Sequence, residues 1–593
     1  MPSPAPFFPP RAGMGAAARR WLAALLALVC SACAGLPKDV ERPVSTAFDA
    51  AGQPTALSAL AQQRRQAAGT RTASGFMLLS GPQEAYGSRL ALAQSAEKTL
   101  DLQYYTIHAD ESSARLLREV VAAARRGVRV RILLDDFHST GRNALVMRLA
   151  FEPHIEMRMF NPVSGPRDSM LGRLWGSLTD FSRVQQRMHN KLFLADNVMG
   201  VTGGRNLGDA YFGQGQAKNF VDLDVLAAGP IVADMSRSFD SYWNNPRAYP
   251  VQSLITKEEL ERLREQLAQD SNEAPAAQDP AKAAPPQLLP PPGTTKDGGE
   301  TAARQRGNWD EQPLDLRQAR FVWAPAVMLA DKPAKIALSA DTGADQEASD
   351  EEGTGDEEGD TVVDGLLTLM QHTRQELLII SPYFVPGQDM KRAFADACAR
   401  GVRVRILTNS LASNDAPIAH VGYARHRQEL LEMGVELYEL RSEQAGLRSA
   451  FGSSATGSSG AAMRSGSRGN AGNAGLSGGA TGASRSMLHS KVMVVDRRLI
   501  VVGSMNLDLR SQLQNTEIAL LVRSKMLSEQ AARQIDDAMR QGAWHVQLQE
   551  GGSLVWRAPQ GSDLPDMHHD PDTSAGLRLM LRLLGPLAPD RLL

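Results

Sequence analysis

The sequence predicts an α/β fold with two duplicated domains, related by a pseudo-twofold axis, each with a mixed, mostly parallel sheet and helices on both faces. The octapeptide RGVRVRIL occurs at residues 126–133 and again, letter for letter, at residues 400–407. Each copy follows a stretch of helical periodicity, which itself follows an apolar strand that ends in aromatic residues. Strand, helix and strand therefore occur twice, in the order typical of parallel βαβ units.

Shifts in composition divide the 593 residues further. The expected segments are a signal peptide with a lipobox (1–33), an N-terminal segment (34–74), domain 1 (75–268), a Pro- and Ala-rich disordered linker (269–314), domain 2 (315–558) and a C-terminal tail (559–593). Domain 2 contains an acidic insertion (341–360) and a Gly- and Ser-rich loop (443–486), and neither has enough apolar residues to form a core.

The overall composition is that of a globular protein, with 42% hydrophobic and 22% charged residues. The formal net charge is −2, but residues 341–360 hold ten acids and no bases, which leaves 56 acids against 64 bases elsewhere. This basic surplus suits an anionic partner such as a phospholipid surface or a nucleic acid. Ordinary surface charge accounts for it equally well.

The N-terminus has the layout of a secretory signal. Arg19 and Arg20 precede WLAALLALVCSACAG, which is too short for a mature transmembrane helix and ends in small residues. CSACAG resembles a bacterial lipobox with Cys33 as the lipidated residue, although Cys30 stands where Leu or Val is usual. We therefore expect a membrane-anchored lipoprotein of the bacterial cell envelope that faces the periplasm, in either the inner or the outer membrane. An uncleaved N-terminal anchor is the alternative.

The tail contains LRLMLRLLGPL from Leu577, an apolar stretch in which Arg578 and Arg582 are four residues apart. This pattern fits a helix that lies in a membrane interface, and it fits a helix packed on the core equally well. DMHHDPD from Asp566 has residue types that bind metals, but we expect a solvated polar turn because no further ligand cluster accompanies it.

The residues that carry chemistry lie in RMHNKLFLAD (187–196) and MLHSKVMVVD (487–496). Both stretches contain His, one residue, Lys, four residues and Asp, and both continue to a small residue and Asn at the same spacing. One such motif arises easily by chance, but two with matching continuations indicate a site. Aligned without gaps, His189, Lys191, Asp196, Gly203, Gly204 and Asn206 correspond to His489, Lys491, Asp496, Gly503, Ser504 and Asn506.

Each copy fits two strands joined by a turn at the Asp. His and Lys are two residues apart, so both project from the same face of the strand. Two copies brought together would surround one phosphate with two His, two Lys and two Asn, while Gly204 and Ser504 let the backbone approach it. One His would attack phosphorus and the opposite His would protonate the leaving alcohol, which fits phosphodiester cleavage without a metal or a cofactor.

Each His also needs a carboxylate on its other ring nitrogen to fix its tautomer. The candidates follow the two motifs at matching places: Asp222 in NFVDLDV, with Asp224 as the runner-up, and Glu517 in NTEIALL. The motif residues Asp196 and Asp496 lie at the turns, where we expect them to hold backbone and Lys geometry rather than to react.

These residues resemble the phospholipase D superfamily, whose signature is HxKxxxxD followed by a small pair and Asn, twice per active site. LDLQYY, RGVRVRILLDD, GGRNLGDAYF, YWNNP, SPYFVPG and GSMNLDLRS are similar to the bacterial cardiolipin synthase branch, most of all to its type C members. The resemblance covers about residues 75–265 and 315–558.

The resemblance implies a metal-independent phosphatidyl transfer to phosphatidylglycerol through a phosphohistidine, with phosphatidylglycerol or phosphatidylethanolamine as the donor. It implies His189 as the nucleophile and His489 as the acid and base, although pseudo-twofold symmetry lets the two exchange roles. The implied phosphate ligands are Lys191, Lys491, Asn206 and Asn506. A hydrolytic phospholipase D is the alternative, and a nuclease of the superfamily is disfavoured by the membrane signals. No nucleic-acid partner is expected, and a protein activator is left open.

Overall fold

A computed structural model describes residues 36–50, 52–70, 73–163, 181–214, 218–273, 312–336, 361–442 and 485–585. Cys33 and the rest of the expected signal segment lie outside the described residues, as do most of the linker, the acidic insertion and nearly all of the Gly- and Ser-rich loop. Within the described ranges, no helix is both long enough and apolar enough to cross a bilayer.

The first half of the chain forms one large sheet with its flanking helices. The strands of this half are β1 Ser74–Leu79, β2 Thr99–Tyr104, β3 Arg129–Asp135, β4 Ile155–Phe160, β5 Leu192–Ala195, β6 Met199–Gly203, β7 Lys218–Val221, β8 Asp224–Ala228, β9 Ala248–Pro250 and β10 Val322–Ala324. All of them except β7 belong to the large sheet. Its α-helices are α1 Ala56–Ala67, α2 Pro82–Ser95, α3 Glu111–Arg125, α4 Phe181–Gln185, α5 Ile231–Trp243 and α6 Lys257–Glu273. α3 begins where the Asp110 side chain accepts a hydrogen bond from the Ser113 N–H, as an N-cap should.

The second half repeats this plan. Its strands are β11 Ala326–Ala330, β12 Glu376–Ile380, β13 Phe384–Val385, β14 Arg403–Asn409, β15 Glu436–Leu440, β16 Arg485–Leu488, β17 Val492–Val495, β18 Leu499–Gly503, β19 Leu507–Asp508, β20 Ile518–Val522, β21 Ala543–Leu548 and β22 Leu554–Arg557. Its α-helices are α7 Val362–His372, α8 Gln388–Ala399, α9 Pro417–Glu432, α10 Leu509–Leu513, α11 Lys525–Gly542 and α12 Ala575–Leu584.

The two sheets share one strand order. The order β1-β8-β6-β5-β2-β3-β4-β9 in the first sheet corresponds to β11-β20-β18-β17-β12-β14-β15-β21 in the second, and β10 and β22 extend one edge each. The predicted α/β fold with two duplicated domains is therefore confirmed. β10 pairs with β1, so the first sheet includes a strand that lies beyond the expected boundary at residue 315.

The prediction that the sheets are mostly parallel is wrong. In the first sheet only the pairs β2–β3 and β3–β4 are parallel, and in the second only β12–β14 and β14–β15. The other pairings in each sheet are antiparallel. The repeated strand–helix–strand unit accounts only for the parallel pairs, because the hairpins that carry the His motifs run back and forth beside it.

Helices cover both faces of each sheet, and the inner faces share one core. α2 and α3 pack on the outer face of the first sheet, and α7, α8 and α9 on the outer face of the second. Between the sheets, α5 and α11 pack with inward-facing residues of both halves in a single hydrophobic cluster. The two halves are therefore joined by a continuous apolar interior.

Candidate active site

The two His motifs form matching hairpins, β5–β6 and β17–β18, with the histidine before the first strand and the Asp at the turn. Asp196 and Asp496 both have positive φ, +51° and +50°. The Asp196 carboxylate accepts hydrogen bonds from the N–H groups of residues 97, 98 and 99, and Asp496 accepts from those of residues 374, 375 and 376. Each Asp thus ties its turn to the start of the neighbouring central strand, at the far end of the strand from the histidine.

Backbone hydrogen bonds between the halves bring the two histidines together. The His189 N–H donates to the carbonyl of Thr516 at 2.9 Å, and the His489 N–H donates to the carbonyl of Val221 at 2.8 Å. β16, which leads into His489, pairs in parallel with β7 of the first half. Each histidine is therefore positioned by the backbone of the other half.

The orienting carboxylates also cross between the halves. His189 Nδ1 lies 3.0 Å and 3.1 Å from the two carboxylate oxygens of Glu517, and His489 Nδ1 lies 2.7 Å from Asp222 Oδ2. The acid that follows one motif in the sequence thus meets the histidine of the other motif. Asp224, the runner-up, is instead paired with the buried guanidinium of Arg89 at 2.9 Å.

Both motif lysines are buried beside the histidines. Lys191 Nζ donates to the His189 carbonyl, and Lys491 Nζ donates to the His489 carbonyl. Burial lowers the pKa of Lys191 to about 7 and that of Lys491 to about 8. Burial, followed by the positive charges of both lysines, also lowers the pKa of His189 well below its ordinary value, so the two lysines and His189 are electrostatically coupled.

The two carboxylates differ in proton affinity. Burial raises the pKa of Glu517 to about 7. Burial acts to raise the pKa of Asp222 as well, but the hydrogen bond and charge of His489 outweigh it and hold that pKa below its ordinary value. Asp222 is therefore ionised at neutral pH, whereas Glu517 is partly protonated and partly ionised.

The small residues Gly204 and Ser504 lie against the orienting carboxylates. A Cβ added to Gly204 would lie 2.4 Å from Asp222 Oδ1, so only glycine leaves room for that carboxylate. The Ser504 hydroxyl donates to Glu517 and accepts from the N–H of Ile518. These contacts give both positions a role in holding the acids that orient the histidines.

The two motif asparagines are buried at the site but have different contacts. Asn206 Nδ2 donates to the Tyr211 hydroxyl at 3.1 Å, while its carbonyl oxygen accepts from the N–H of Thr106 at 3.3 Å. The carbonyl oxygen of Asn506 is buried and has no hydrogen-bond partner in the described part of the protein. The pseudo-twofold symmetry is thus broken at the asparagines as well as at the acids.

Sequence reasoning missed several side chains around the histidines. The ring of Tyr105 meets His189 edge-on with centroids 5.1 Å apart, and the ring of Tyr211 meets His489 in the same way at 5.3 Å. The charge of Arg510 lowers the pKa of His189, although less than burial and the neighbouring lysines and His489 do. All three lie within stretches that the sequence singles out: Tyr105 in LDLQYY, Tyr211 in GGRNLGDAYF and Arg510 in GSMNLDLRS.

Comparison with known proteins agrees with this geometry. The chain matches the family described as "Cardiolipin synthase, PLD-like domain" over residues 90–243, 366–451 and 460–539. It is 33% identical to cardiolipin synthase C of Escherichia coli (strain K12) over 537 residues, which cover 88% of this chain and 96% of the relative. The chain belongs to this family. It is therefore an enzyme of the phospholipase D superfamily, a phosphatidyltransferase or phosphodiesterase, and the resemblance inferred from its motifs is confirmed.

More distant members extend the comparison. A cardiolipin synthase of Geobacillus kaustophilus (strain HTA426) is 23% identical over 75% of this chain and 62% of its own length. The crystal structure of phosphatidylserine synthase from Haemophilus influenzae Rd KW20 superposes with a TM-score of 0.50 at 13% identity, over 90% of this chain and 99% of that one. At that identity the structural likeness concerns the fold, which both proteins share through nearly their whole length.

Proposed function

We propose that this family member moves a phosphatidyl group from one phospholipid to phosphatidylglycerol through a phosphohistidine. The observation that carries the proposal is the pair of buried histidines, each held at Nδ1 by a carboxylate of the other half. This arrangement leaves both Nε2 atoms for substrate, beside two lysines that can neutralise a phosphate. The Escherichia coli relative is named cardiolipin synthase C, which supports this choice of acceptor.

The reaction proceeds in two displacements. First, His189 Nε2 attacks phosphorus of the donor, and the P–O bond to the donor headgroup breaks as His489 gives its Nε2 proton to the leaving oxygen. The neutral His489 then takes a proton from the acceptor hydroxyl, whose oxygen forms a new P–O bond as the P–N bond to His189 breaks. Atoms and protons balance without a metal or a cofactor in either step.

We assign the role of each histidine from the charged groups that surround it. A nucleophile must be neutral, and His189 lies beside two lysines in a site that lowers its pKa well below the ordinary value through burial and their charges. An acid must carry a proton. Burial and the charge of Lys491 lower the pKa of His489 below its ordinary value, but the hydrogen bond and charge of the ionised Asp222, at 2.7 Å, act in the opposite direction and favour the protonated form. Lys191, Lys491, Asn206 and Asn506 would then contact the non-bridging oxygens.

We also propose that the enzyme works at a membrane surface on the periplasmic side of the cell envelope, anchored by a lipid on Cys33. The support is the N-terminal sequence, in which two arginines, an apolar stretch and CSACAG follow one another. Radiolabelled palmitate incorporated by wild-type protein and not by Cys33→Ala would identify that anchor. Labelling that persists in the variant would contradict it.

The reaction itself is tested with the purified full chain. The enzyme is incubated with vesicles of phosphatidylglycerol, with and without phosphatidylethanolamine, in the presence of a chelator, and the lipid products are followed by mass spectrometry. We expect cardiolipin. Phosphatidic acid as the sole product would contradict the transferase and establish the hydrolytic alternative, and DNA cleavage without lipid turnover would contradict both.

The roles of the histidines are separated with phosphatidyl p-nitrophenol, whose leaving group needs no proton. We expect His489→Ala to release about one equivalent of nitrophenolate in a burst and His189→Ala to release none, while both lose natural-substrate turnover by roughly 10²-fold or more. A burst from His189→Ala alone would show that the two roles are exchanged.

A further inference from the structure

The C-terminal helix α12 presents an apolar face to solvent. Leu579 and Leu583 are 60% and 68% exposed and Met580 is 47% exposed, although α12 forms a complete helix with the hydroxyl of Ser574 as its N-cap. The spacing of these three residues places them on one side of the helix. The sequence left a packed helix and an interfacial helix equally open, and this face is not packed against the described core.

The helix is nevertheless held firmly in place at both ends. The carboxylate of Asp570, just before it, is 2.6 Å from the buried guanidinium of Arg427 on α9. At its other end the carbonyl of Gly585 accepts a hydrogen bond from Arg425, and Gly585 packs closely against Val421. The outward direction of the apolar face is therefore fixed by the fold rather than by fraying of a loose tail.

The location of the helix connects it to the active site. α9, on which α12 rests, starts beside Asp415, whose carboxylate accepts a 2.7 Å hydrogen bond from Tyr383 and whose charge acts on the pKa of Lys491. Ile418, one turn before Val421 on α9, is also exposed. α9 therefore carries an exposed apolar side chain near its first turn, where it adjoins Asp415, and contacts the end of α12 at Val421.

A further exposed apolar side chain belongs to the short helix α10. Leu513 is exposed and is three residues from Arg510, whose charge lowers the pKa of His189. Most of the large hydrophobic side chains exposed in the described ranges belong to α12 or are Ile418 and Leu513. The full set is Val44, Val327, Ile418, Leu513, Met526, Leu579, Met580 and Leu583. Exposed apolar side chains grouped on one helix face, as on α12, mark an interaction surface.

We propose that the docking face, defined as Leu579, Met580 and Leu583 with the rim residues Ile418 and Leu513, seats the active site on a phospholipid bilayer that contains anionic lipid. The charge of α12 favours this occupant, because the helix holds two arginines and no acid, and Arg582 is exposed. The substrates of the family reside in such a surface, so apolar insertion beside the site would bring a headgroup to the histidines. The proposal holds for any phospholipid acceptor.

Insertion is tested on the full chain without reference to catalysis. An environment-sensitive fluorophore is attached to Leu579→Cys and, as a matched control, to Met526→Cys, since Met526 is 63% exposed on α11. The unsubstituted chain is treated identically to subtract labelling of native cysteines. On addition of phosphatidylglycerol vesicles we expect a blue shift at position 579 and none at 526.

The alternative occupant is a second copy of the chain. A blue shift at position 579 that appears on raising the protein concentration without vesicles would overturn the proposal in favour of a dimer. An unchanged spectrum at 579 while the protein sediments with vesicles would overturn it as well, because the chain would then be bound through another part.

A second experiment links docking to turnover. Leu579→Asp/Leu583→Asp is compared with Met526→Asp on phosphatidylglycerol vesicles and on a short-chain phosphatidylglycerol below its micellar concentration. We expect the double variant to lose roughly tenfold or more of vesicle turnover and to keep the turnover of the monomeric lipid, while the control keeps both. Vesicle turnover within twofold of wild type in the double variant would overturn the proposal. If the wild type turns over neither lipid, the proposed function fails, and the fluorophore still decides whether α12 docks.

Discussion

At the scale of single residues, the proposed roles of the two histidines can be tested through their acids, because each histidine contacts an acid from the other half. Asp222 orients His489 and Glu517 orients His189. We therefore expect Asp222→Asn to give a nitrophenolate burst with phosphatidyl p-nitrophenol, as expected for His489→Ala, and Glu517→Gln to lose the burst. Natural-substrate turnover should fall roughly 10²- to 10⁴-fold in both, since each acid fixes the tautomer of a reacting histidine.

A different result would contradict the pairing of each acid with the histidine of the other half. If the acids served the histidine of their own half, Asp222→Asn would lose the burst and Glu517→Gln would keep it. Circular dichroism would check that both variants are folded. Because the substitutions preserve side-chain size, a missing burst in a folded variant would report on orientation rather than on packing.

The charge of Lys191 should destabilise the fold below neutral pH. Its pKa falls from 10.5 to about 7 on burial, so between pH 7 and 10.5 the unfolded state binds more protons and stability rises with pH. Below pH 7 the buried Lys191 is protonated, and the full free-energy cost of burying its charge is present. We expect Lys191→Met to raise Tm at pH 6 by roughly 2 °C or more, and by less at pH 9, because the Tm shift per kcal/mol in a cooperative unit of this size lies below the about 2–4 °C of domains of 150–250 residues.

Scanning calorimetry at the two pH values measures this difference, and activity should be lost at both. The surface residue Lys525, whose side chain is 77% exposed, provides the control as Lys525→Met, which we expect to leave Tm unchanged. A Tm of Lys191→Met that is lower than the wild-type value at pH 6 would show that the buried charge is stabilising. Glu517 has the opposite dependence, since its pKa rises to about 7 and its ionisation lowers stability from about pH 4.5 upwards.

The sequence indicated which residues form the candidate site, but not which contacts among them cross between the two halves. Repetition of the motif identified both histidines and both lysines, because spacing within a strand determines which side chains share a face. It singled out Asp222 and Glu517 by their equivalent positions, but their contacts with the histidine of the other half depend on how the two domains face each other. The closeness of Gly204 to the Asp222 carboxylate could not be predicted for the same reason, since it arises only once the strands are paired.

At the scale of elements, the motif Asp residues anchor the hairpins to the central strands. Removing the Asp196 carboxylate leaves the N–H groups of residues 97, 98 and 99 without their acceptor. Asp196→Ala also puts a residue with little tolerance for positive φ at +51°. We expect a loss of roughly 2–4 kcal/mol in the free energy of unfolding, with kcat of the folded fraction nearly unchanged.

Denaturant unfolding followed by circular dichroism measures the loss. Asp496→Ala should behave in the same way, because Asp496 makes the equivalent bonds in the second half. The exposed Asp234→Ala is the matched control and should change stability by less than about 0.5 kcal/mol. A large fall in kcat without loss of stability would mean that the motif Asp takes part in the reaction.

The sequence predicted where strands occur, but it did not predict whether neighbouring strands run parallel or antiparallel. The letter-for-letter repeat at 126–133 and 400–407 became β3 and β14, which are the centres of the parallel part of each sheet. Apolar periodicity elsewhere is the same for parallel and antiparallel neighbours when both faces of a sheet are covered. The hairpins therefore gave no sign that they would make the sheets mostly antiparallel.

In the whole molecule, the apolar interior shared by the two halves makes each half depend on the other for its stability. α5 of the first half and α11 of the second lie in one hydrophobic cluster between the sheets, and backbone bonds at His189 and His489 cross the same boundary. Cutting this interior apart would expose both inner faces to water, which opposes separate unfolding of either half. We infer that the described core unfolds in one transition.

Ile535 tests this inference, because it is buried in the shared cluster on α11 and contributes to both halves. We expect Ile535→Ala to cost about 2–5 kcal/mol and to move a single transition to lower denaturant, with near-ultraviolet circular dichroism and loss of activity tracing the same curve. Met526→Ala on the exposed side of the same helix is the control and should leave the midpoint in place. Two separated transitions, of which Ile535→Ala shifts only one, would show that the halves fold as independent units and that the exchange of carboxylates forms only when they dock.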